Sequence, residues 1–360
     1  MKPKLILHAG THKTGTTAIQ AFCAANREAL AGQGIVYPTL PIKGTNASNQ
    51  HHDLAHAFAG KSSRLTAAKA VGLFKSWADD LRGTGQTLLI SAEPMWRHRG
   101  PVPATKPAQG GQDIWLSERR AYLETLARAI SDFDTRLVLV FRNPVDFIQS
   151  LYIENISSRP AGLAEDFPAY ISAALRANLR YGENAQLFRE LVAPVECLNY
   201  ESLSKDGLIP SFFERIGHPI AAGGFTEAKV VRKSASPAKA HIVNAIKQRA
   251  PAAFGKPEIT ALLADPDLSA LIEQHVAANE GKQFWRDQAQ QEALMRAMQP
   301  NCDILAQEFD LAIPPARHAG RAFEPLGPLP QDAPQRIEAA IARQPAPKQS
   351  LVRRVIQRLR

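Results

Sequence analysis

The sequence predicts an α/β fold, in which a doubly wound parallel sheet of about five strands is flanked by helices and followed by a helical C-terminal extension. Short apolar runs alternate with helical patterns as far as residue 199, and this alternation is typical of a parallel sheet. The run at 136–141 is the most continuous of these, as expected for a strand covered on both faces. The chain has 360 residues, of which 45% are hydrophobic, so it can bury a full core and global disorder is excluded.

Each element follows from a local pattern. Strands are predicted at residues 5–9, 34–38, 87–91, 136–141 and 194–199, where short apolar runs are bounded by turn-forming or polar residues. Helices are predicted over residues 18–25, 50–82, 114–133, 144–155 and 168–191, because apolar residues recur there at helical spacing. Residues 97–113 are polar and rich in glycine and proline, and they predict a loop.

Strand patterns stop near residue 210, and composition divides the rest of the chain. Residues 1–235 form the predicted α/β core, and residues 236–312 form a helical, alanine-rich extension of the same domain. Residues 313–347 contain eight of the 26 prolines and predict an extended arm or linker. Residues 348–360 predict a basic amphipathic helix, a pattern that can contact a membrane surface weakly or dock on a protein.

Charge and cysteine content exclude several classes of protein. The net charge is +9, but residues 339–360 carry +6 of it, so the remainder is only mildly basic. Basic and aromatic residues are not interleaved, and we therefore expect no nucleic-acid partner. Cys23, Cys197 and Cys302 are too few and too far apart for a disulfide scaffold or a cysteine-rich zinc module. The apolar run after Lys4 is too short for a signal peptide, so we expect a cytoplasmic protein.

The strongest local pattern is the loop after the first strand, Gly10-Thr11-His12-Lys13-Thr14-Gly15-Thr16-Thr17. Its two glycines, five residues apart and followed by threonine, resemble the frame of a P-loop. Such a loop directs several backbone N–H groups to one point at a helix N-terminus, where they hold a phosphate. Thr16 stands where a lysine is expected, and Lys13 lies inside the loop instead, so the match to an ATPase is poor. The alternative is a strand–helix turn that is rich in glycine and threonine for capping alone.

A second pattern follows the fourth strand. Arg142 stands at the carboxyl end of this strand, where open α/β sheets bind ligands, and Asn143-Pro144 begin a helix. Ser150 lies two turns into that helix. An arginine and a hydroxyl together can hold a second phosphate. The alternative is a helix-capping asparagine beside an arginine in a surface ion pair.

These two segments resemble those of the sulfotransferases that use 3′-phosphoadenosine 5′-phosphosulfate (PAPS). Residues 12–17 are similar to their 5′-phosphosulfate loop, and Arg142 and Ser150 are similar to their 3′-phosphate pair. Tyr200 is similar to the tyrosine near the adenine. Arg232 and Ser234 lie in a segment similar to their later Arg-Lys-Gly, with serine in place of the glycine. The resemblance covers residues 4–235, and the segment 5–20 is similar to loops in bacterial members of the superfamily.

The resemblance implies an enzyme that transfers the sulfonate group of PAPS by in-line displacement. The acceptor would be a hydroxyl, or else an amine, of a carbohydrate or other metabolite, and the product would be 3′,5′-ADP. Lys13 would stabilise charge on the bridging oxygen of the leaving nucleotide. Thr14, Thr16 and Thr17, with the amides of the loop, would hold the 5′-phosphate. No metal is required, and we expect none.

Four residues are candidates for the base that accepts the acceptor's proton. Glu93 ends the third strand at the ligand-binding edge of the sheet, although it could instead pair with a nearby arginine. His51 and His52 begin a helix and could serve as the base or be solvated. His12 lies inside the phosphate loop, where it could contact the sulfonate.

Two other functions remain open. One is a P-loop kinase with an aberrant phosphate loop. The position of Lys13, and Arg142 in place of an acidic strand end, argue against it. The other is a non-catalytic, nucleotide-binding scaffold that binds a partner through its helical end, against which the presence of Lys13, Arg142 and Ser150 argues.

Overall fold

The protein is represented by a computed structural model, which describes residues 1–42, 50–100, 114–158, 166–220, 224–226, 235–251, 253–317 and 323–344. The described residues form one parallel sheet of five strands, β1 (Lys4–Gly10), β2 (Ile35–Val36), β3 (Thr87–Ser91), β4 (Asp134–Phe141) and β5 (Val195–Asn199). The predicted α/β fold, with an all-parallel sheet of five strands flanked by helices, is therefore confirmed. The second strand is shorter than expected.

The strand order places β1 in the interior of the sheet. Neighbouring strands follow the order β2-β3-β1-β4-β5. The chain leaves β1 toward the β2 edge, but it leaves β2, β3 and β4 in the opposite direction. In open parallel sheets, ligands bind beyond the carboxyl ends of strands at such a change of direction. Gly10 is level with Val140 of β4, so the residues that follow β1 lie beside the end of β4.

The described residues form sixteen helices. In chain order they are α1 (Thr16–Ala25), α2 (Arg27–Gly32), α3 (His52–Phe58), α4 (Ala67–Leu81), α5 (Pro94–Arg97), α6 (Ile114–Ala129), α7 (Pro144–Ser158), α8 (Phe167–Ala177), α9 (Tyr181–Leu191), α10 (Tyr200–Lys205), α11 (Leu208–Arg215), α12 (Pro237–Arg249), α13 (Lys256–Leu263), α14 (Pro266–Ala278), α15 (Gln288–Phe309) and α16 (Ala333–Arg343).

Two of the predicted helices are each divided into two shorter helices in the structure. The predicted helix over 50–82 ends at Phe58, and a new helix begins after Thr66, whose hydroxyl accepts a hydrogen bond from the backbone of Lys69. Gly60 has a φ of +67°, a left-handed conformation that an α-helix cannot continue through. The predicted helix over 168–191 is likewise divided into α8 and α9. The short helix α5 was not predicted.

Contact density divides the chain into two compact units. The first comprises Met1–Phe147, Ala174–Val231 and Met295–Arg317, and the second comprises Ile148–Ala173, Arg232–Leu294 and His318–Arg360. The first unit contains the whole sheet. On one sheet face, Ile6 and Val138 pack with Phe22 of α1 and Phe212 of α11. On the other face, Phe141 contacts Trp96 of α5, with 5.1 Å between the ring centroids.

The second unit has its own apolar core, to which the proline-rich segment contributes a helix. Ile242 of α12 and Leu271 of α14 are buried in this core together with Ile337 of α16. This helix differs from the extended arm or linker expected over residues 313–347. The physical reason is that Ala333, Ile337 and Ala340 recur at helical spacing and are fully buried, although prolines surround them. The predicted amphipathic helix at 348–360 lies outside the described residues.

None of the described helices is both long enough and apolar enough to cross a membrane.

Candidate functional site

The exit from β1 requires glycine at position 10. Gly10 has a φ of +119°, and a Cβ atom placed there would lie 2.4 Å from the carbonyl oxygen of Val140. The next residue, Thr11, donates its backbone N–H to that same oxygen over 2.9 Å. The loop therefore begins pressed against β4, and no larger residue than glycine fits at its start.

The loop from Thr11 to Gly15 is held by its own threonines. Thr14 is buried, and its hydroxyl donates to the carbonyl oxygen of Thr11 over 2.7 Å and lies 3.3 Å from the hydroxyl of Thr16. Lys13 and Gly15 have φ values of +65° and +74°, so the backbone turns sharply twice before α1 begins. A buried hydroxyl that supports the loop is less accessible than that of Thr17, which is exposed. The predicted phosphate contacts of Thr14, Thr16 and Thr17 stay predictions.

Arg142 joins three segments at the carboxyl edge of the sheet. Its Nη1 donates to the carbonyl oxygen of Lys13 over 3.3 Å. Its guanidinium lies over the ring of Tyr200, 5.5 Å from the centroid, and its Nε is 3.9 Å from Oε1 of Glu201. A Cβ atom on Gly15 would lie 3.2 Å from the Tyr200 ring, so this ring also packs on the loop. The end of β4, the loop and the start of α10 therefore meet at one place.

These contacts do not include three other predicted nucleotide-binding residues, Ser150, Arg232 and Ser234. Ser150 lies in α7 within the second compact unit, whereas Arg142 lies in the first. Arg232 and Ser234 lie outside the described residues. The predicted pairing of Arg142 with Ser150 stays a prediction.

Glu93 and His52 form a close pair at the end of β3. The Nε2 atom of His52 lies 2.7 Å from Oε2 of Glu93, which also accepts a hydrogen bond from Nε2 of Gln20 over 3.1 Å. The Nδ1 atom of His12 lies 3.9 Å from Oε1 of the same carboxylate. Two of the four predicted base candidates therefore flank a third, and they approach it from α3 and from the loop after β1.

The carboxyl group of Glu93 is ionised at neutral pH. Burial by itself raises its pKa, but the hydrogen bond to His52 and, in their protonated forms, the charges of His52 and His12 outweigh burial and lower the pKa to about 2. A carboxylate with so low a pKa is a weak base. Its position suits it to hold one nitrogen of His52 and leave the other, Nδ1, for a substrate.

Both ring nitrogens of His51 form hydrogen bonds with the backbone. The backbone N–H of Ser91 donates to Nδ1 of His51 over 3.0 Å, and this assigns the ring proton to Nε2. Nε2 then donates to the carbonyl oxygen of Pro38 over 2.9 Å. Burial lowers the pKa of His51 to about 4. Neither ring nitrogen is left to accept a proton from a substrate.

His12 is neutral at pH 7 and keeps one nitrogen unused. Burial, followed by the charge of Arg97, lowers the pKa of His12 to about 4 against the opposing effect of Glu93. Its Nε2 atom is buried and has no hydrogen-bond partner among the described residues. A buried donor or acceptor without a partner is costly in an isolated protein, so this atom fits a contact with a bound group.

Gln20 belongs to the site but was not among the predicted residues. This fully buried side chain on α1 donates from Nε2 to Glu93 and also to the carbonyl oxygen and hydroxyl of Ser91, over 3.1 and 3.2 Å. It therefore connects the helix that follows the loop to the end of β3. The available signal was a single amide in the otherwise apolar stretch Ala18-Ile19-Gln20-Ala21-Phe22, because buried amides require partners.

Among the described residues, no group of three or more His, Cys, Asp and Glu side chains could hold a metal ion. Comparison of the chain with protein-family models and with curated proteins finds no match.

Proposed function

We propose that the protein is a P-loop-type sulfotransferase that uses PAPS and acts on a hydroxyl of a carbohydrate or another metabolite. The observation that carries the proposal is the position of Arg142, which bonds to the backbone of Lys13 and lies on the ring of Tyr200. A cation beside a glycine-rich loop and over an aromatic ring suits a nucleotide that has two separate phosphate groups.

The loop supplies the 5′-phosphate site in this proposal. Helix α1 has no side-chain cap at Gly15 and no acidic residue in its first turn. The N–H groups at the start of a helix lack intrahelical acceptors and lie at the positive end of the helix dipole. In α1 the N–H of Ala18 donates to the carbonyl oxygen of Gly15, and those of Thr16 and Thr17 precede it. Sharp turns at Gly10, Lys13 and Gly15 set this loop at the end of β1, and the unused Nε2 of His12 adds a polar atom. Such a site binds phosphate or sulfate oxygens through backbone donors.

His52 is the base in this proposal, and Glu93 positions it. PAPS supplies a sulfonate group that passes to the acceptor oxygen as the bond between sulfur and the nucleotide oxygen breaks. His52 takes the acceptor's proton at Nδ1, because Nε2 is held by Glu93. Lys13 stabilises the charge that develops on the departing nucleotide oxygen. If Glu93 were the base instead of His52, the low pKa of its carboxyl group would oppose proton transfer.

Nucleotide binding by an Arg142→Ala variant tests the proposal. We expect the variant to bind 3′,5′-ADP about tenfold or more weakly than the native protein, as is typical for loss of a charged hydrogen bond, while 5′-AMP affinity changes much less. Arg136→Ala is the matched control, because Arg136 lies on β4, the strand that ends just before Arg142, but pairs with Glu196. Calorimetry gives both affinities. Equal 3′,5′-ADP binding by Arg142→Ala and the native protein would refute the assignment of Arg142.

A further inference from the structure

Four basic side chains form a cluster one helical turn from His52. We call His56, Lys61, Arg97 and His98 the basic cluster. The Nδ1 atom of His56 lies 2.7 Å from Nε2 of His98, and the backbone N–H of Lys61 donates to the carbonyl oxygen of His56 over 2.8 Å. Arg97 immediately precedes His98 at the end of α5. Helix α3 and the end of α5 therefore bring the two imidazoles together, and the charges of Lys61 and Arg97 act on both rings.

The carboxylates of this region are already paired. Asp53 lies 2.8 Å from the guanidinium of Arg64, and Glu118 lies 2.9 Å from that of Arg99. Glu93 is bonded to His52, as described above. Lys61 and Arg97 are both exposed, and neither forms an ion pair with a described residue. The basic cluster consequently has a surplus of positive charge that the described parts of the chain do not neutralise.

The ring nitrogens of the cluster are arranged to share one proton. A 2.7 Å contact between two imidazoles requires one to donate and the other to accept, so at least one ring is neutral. Burial, the charge of His56 and the charges of Arg97 and Lys61 lower the pKa of His98 to about 3, and burial and neighbouring cations also lower the pKa of His56. Further protonation of the cluster is therefore unfavourable, and a bound anion would make it less so.

The cluster adjoins His52 through His56 on α3, and the charge of Arg97 also acts on His12 in the loop after β1. The rings of His52 and His56 have centroids 6.4 Å apart and are one turn apart on the helix. A group bound at His56 would therefore sit within one sugar ring of an acceptor oxygen at His52. No described aromatic side chain is exposed in the cluster, so its recognition chemistry is ionic.

We propose that the basic cluster binds an oxyanion, a carboxylate or a sulfate, carried by the acceptor, so that the substrate of this enzyme is an anionic saccharide or metabolite and not a neutral one. The inference that the bound molecule is an acceptor rests on the proposed function, but anion binding itself can be measured without any transfer reaction. Lys61 and Arg97 supply the charge, and the His56–His98 pair supplies an N–H donor.

The test is a titration of the full chain with inorganic sulfate, with 3′,5′-ADP present to fill the nucleotide site. The ring signals of His56 and His98 are followed by NMR near neutral pH, at constant ionic strength set with chloride. We expect these signals to move and to saturate with sulfate. In the double variant Lys61→Gln/Arg97→Gln the dissociation constant should rise about tenfold or more, since two charged contacts are lost. The matched control Arg99→Gln removes a nearby paired charge, and we expect it to change the constant by about twofold at most.

The anion site would be overturned by signals that do not move in the native protein, or by equal sulfate affinity in the double variant and the native protein. Equal weakening by Arg99→Gln would also overturn it, because binding would then reflect only the general field. The proposed function fails separately, through absence of 3′,5′-ADP binding, and the sulfate titration can still be read in that case. A uronate-containing oligosaccharide and its carboxyl-reduced form then serve as acceptors. A lower KM for the uronate form, lost in the double variant, is expected, and equal KM values would contradict the role in acceptor choice.

Discussion

Glu93 shows how a few contacts decide the chemistry of a side chain. Its carboxyl group has an ordinary pKa of 4.5, and burial raises it, yet the bond to His52 and the charges of His52 and His12 in their protonated forms lower it to about 2. Gln20 donates to the same oxygen that His52 contacts. The carboxylate is therefore kept ionised and kept in place, and this is what a residue that orients a base requires.

The low pKa of Glu93 predicts a pH dependence of stability. Between pH 4.5 and 2 the unfolded chain binds a proton at this group and the folded protein does not, so stability present above pH 4.5 is lost as the pH falls toward 2. Glu93→Gln should lower the free energy of unfolding at pH 7 by on the order of 3 kcal/mol and make this acid loss shallower. Urea unfolding at several pH values measures both effects. Glu214→Gln, at an exposed position, is the control, and equal acid profiles for native protein and Glu93→Gln would contradict the assignment.

Lys13 has both a charge and an unusual backbone conformation, and the two can be separated. Lys13→Ala should lower kcat by about 10²- to 10³-fold, as is typical when one group that stabilises transition-state charge is lost, with a much smaller effect on 3′,5′-ADP affinity. Its φ of +65° strains alanine but not glycine. Lys13→Gly is therefore the control: the charge account predicts the same loss of kcat in both variants. Recovery of kcat in Lys13→Gly would assign the effect to the backbone.

Individual site residues were predictable where the pattern is local. The loop 10–17 and Arg142 stand at strand ends in the sequence, so their convergence follows from a parallel sheet. The roles of the histidines were not predictable. His51 and His52 are adjacent, yet one bonds to the backbone of Ser91 and the other to the side chain of Glu93. Only the rotation of α3 relative to the end of β3 separates them.

The connection from β1 to α1 is the element on which the site depends. Gly10→Ala would place a methyl group 2.4 Å from a backbone oxygen at a positive φ, so we expect a loss of stability on the order of 4 kcal/mol or more. Gly32 lies in a helix with nothing within 4 Å of an added Cβ, and Gly32→Ala should be stabilising by about 0.5 to 1 kcal/mol. Chemical denaturation compares the two variants. Tolerance of alanine at position 10 would show that the loop does not lie against β4.

The elements of the sheet were predictable, because each strand is an apolar run of limited length between turn-forming residues. Strand β3 occupies the predicted residues, Thr87–Ser91. Breaks within helical patterns were harder to predict. The ends of α3 and α4 depend on a left-handed Gly60 and on the cap at Thr66, and neither changes the apolar spacing from which the longer helix over 50–82 was inferred.

At the scale of the whole molecule, the proline-rich segment belongs in part to a core. Ile337→Ala in α16 should lower the stability of the second unit by about 2 to 4 kcal/mol, because a fully buried side chain leaves a cavity. Glu338→Ala changes the exposed neighbouring residue and should cost less than about 0.5 kcal/mol. Thermal unfolding of both variants measures the difference. Equal stability of the two variants would support a free arm over residues 313–347.

The positive charge of the chain is unevenly distributed, which the net charge alone does not reveal. The net charge of +9 is concentrated in residues 339–360, most of which lie outside the described part of the chain. The described surface carries its relevant cations at particular points: Lys13 and Arg142 at the loop, and Lys61 and Arg97 beside His52. Three-dimensional pairing decides which of these are neutralised, and this is why the proposed anion site could not be inferred from sequence.

The proposed function requires the carboxyl edge of the sheet to bind a nucleotide with a 3′-phosphate. Calorimetry of the full chain with 3′,5′-ADP and, separately, with ATP and magnesium tests it most directly. The sulfotransferase account predicts that 3′,5′-ADP binds without added metal and that ATP binds far more weakly. Magnesium-dependent binding of ATP, with no binding of 3′,5′-ADP, would contradict the account and favour a kinase.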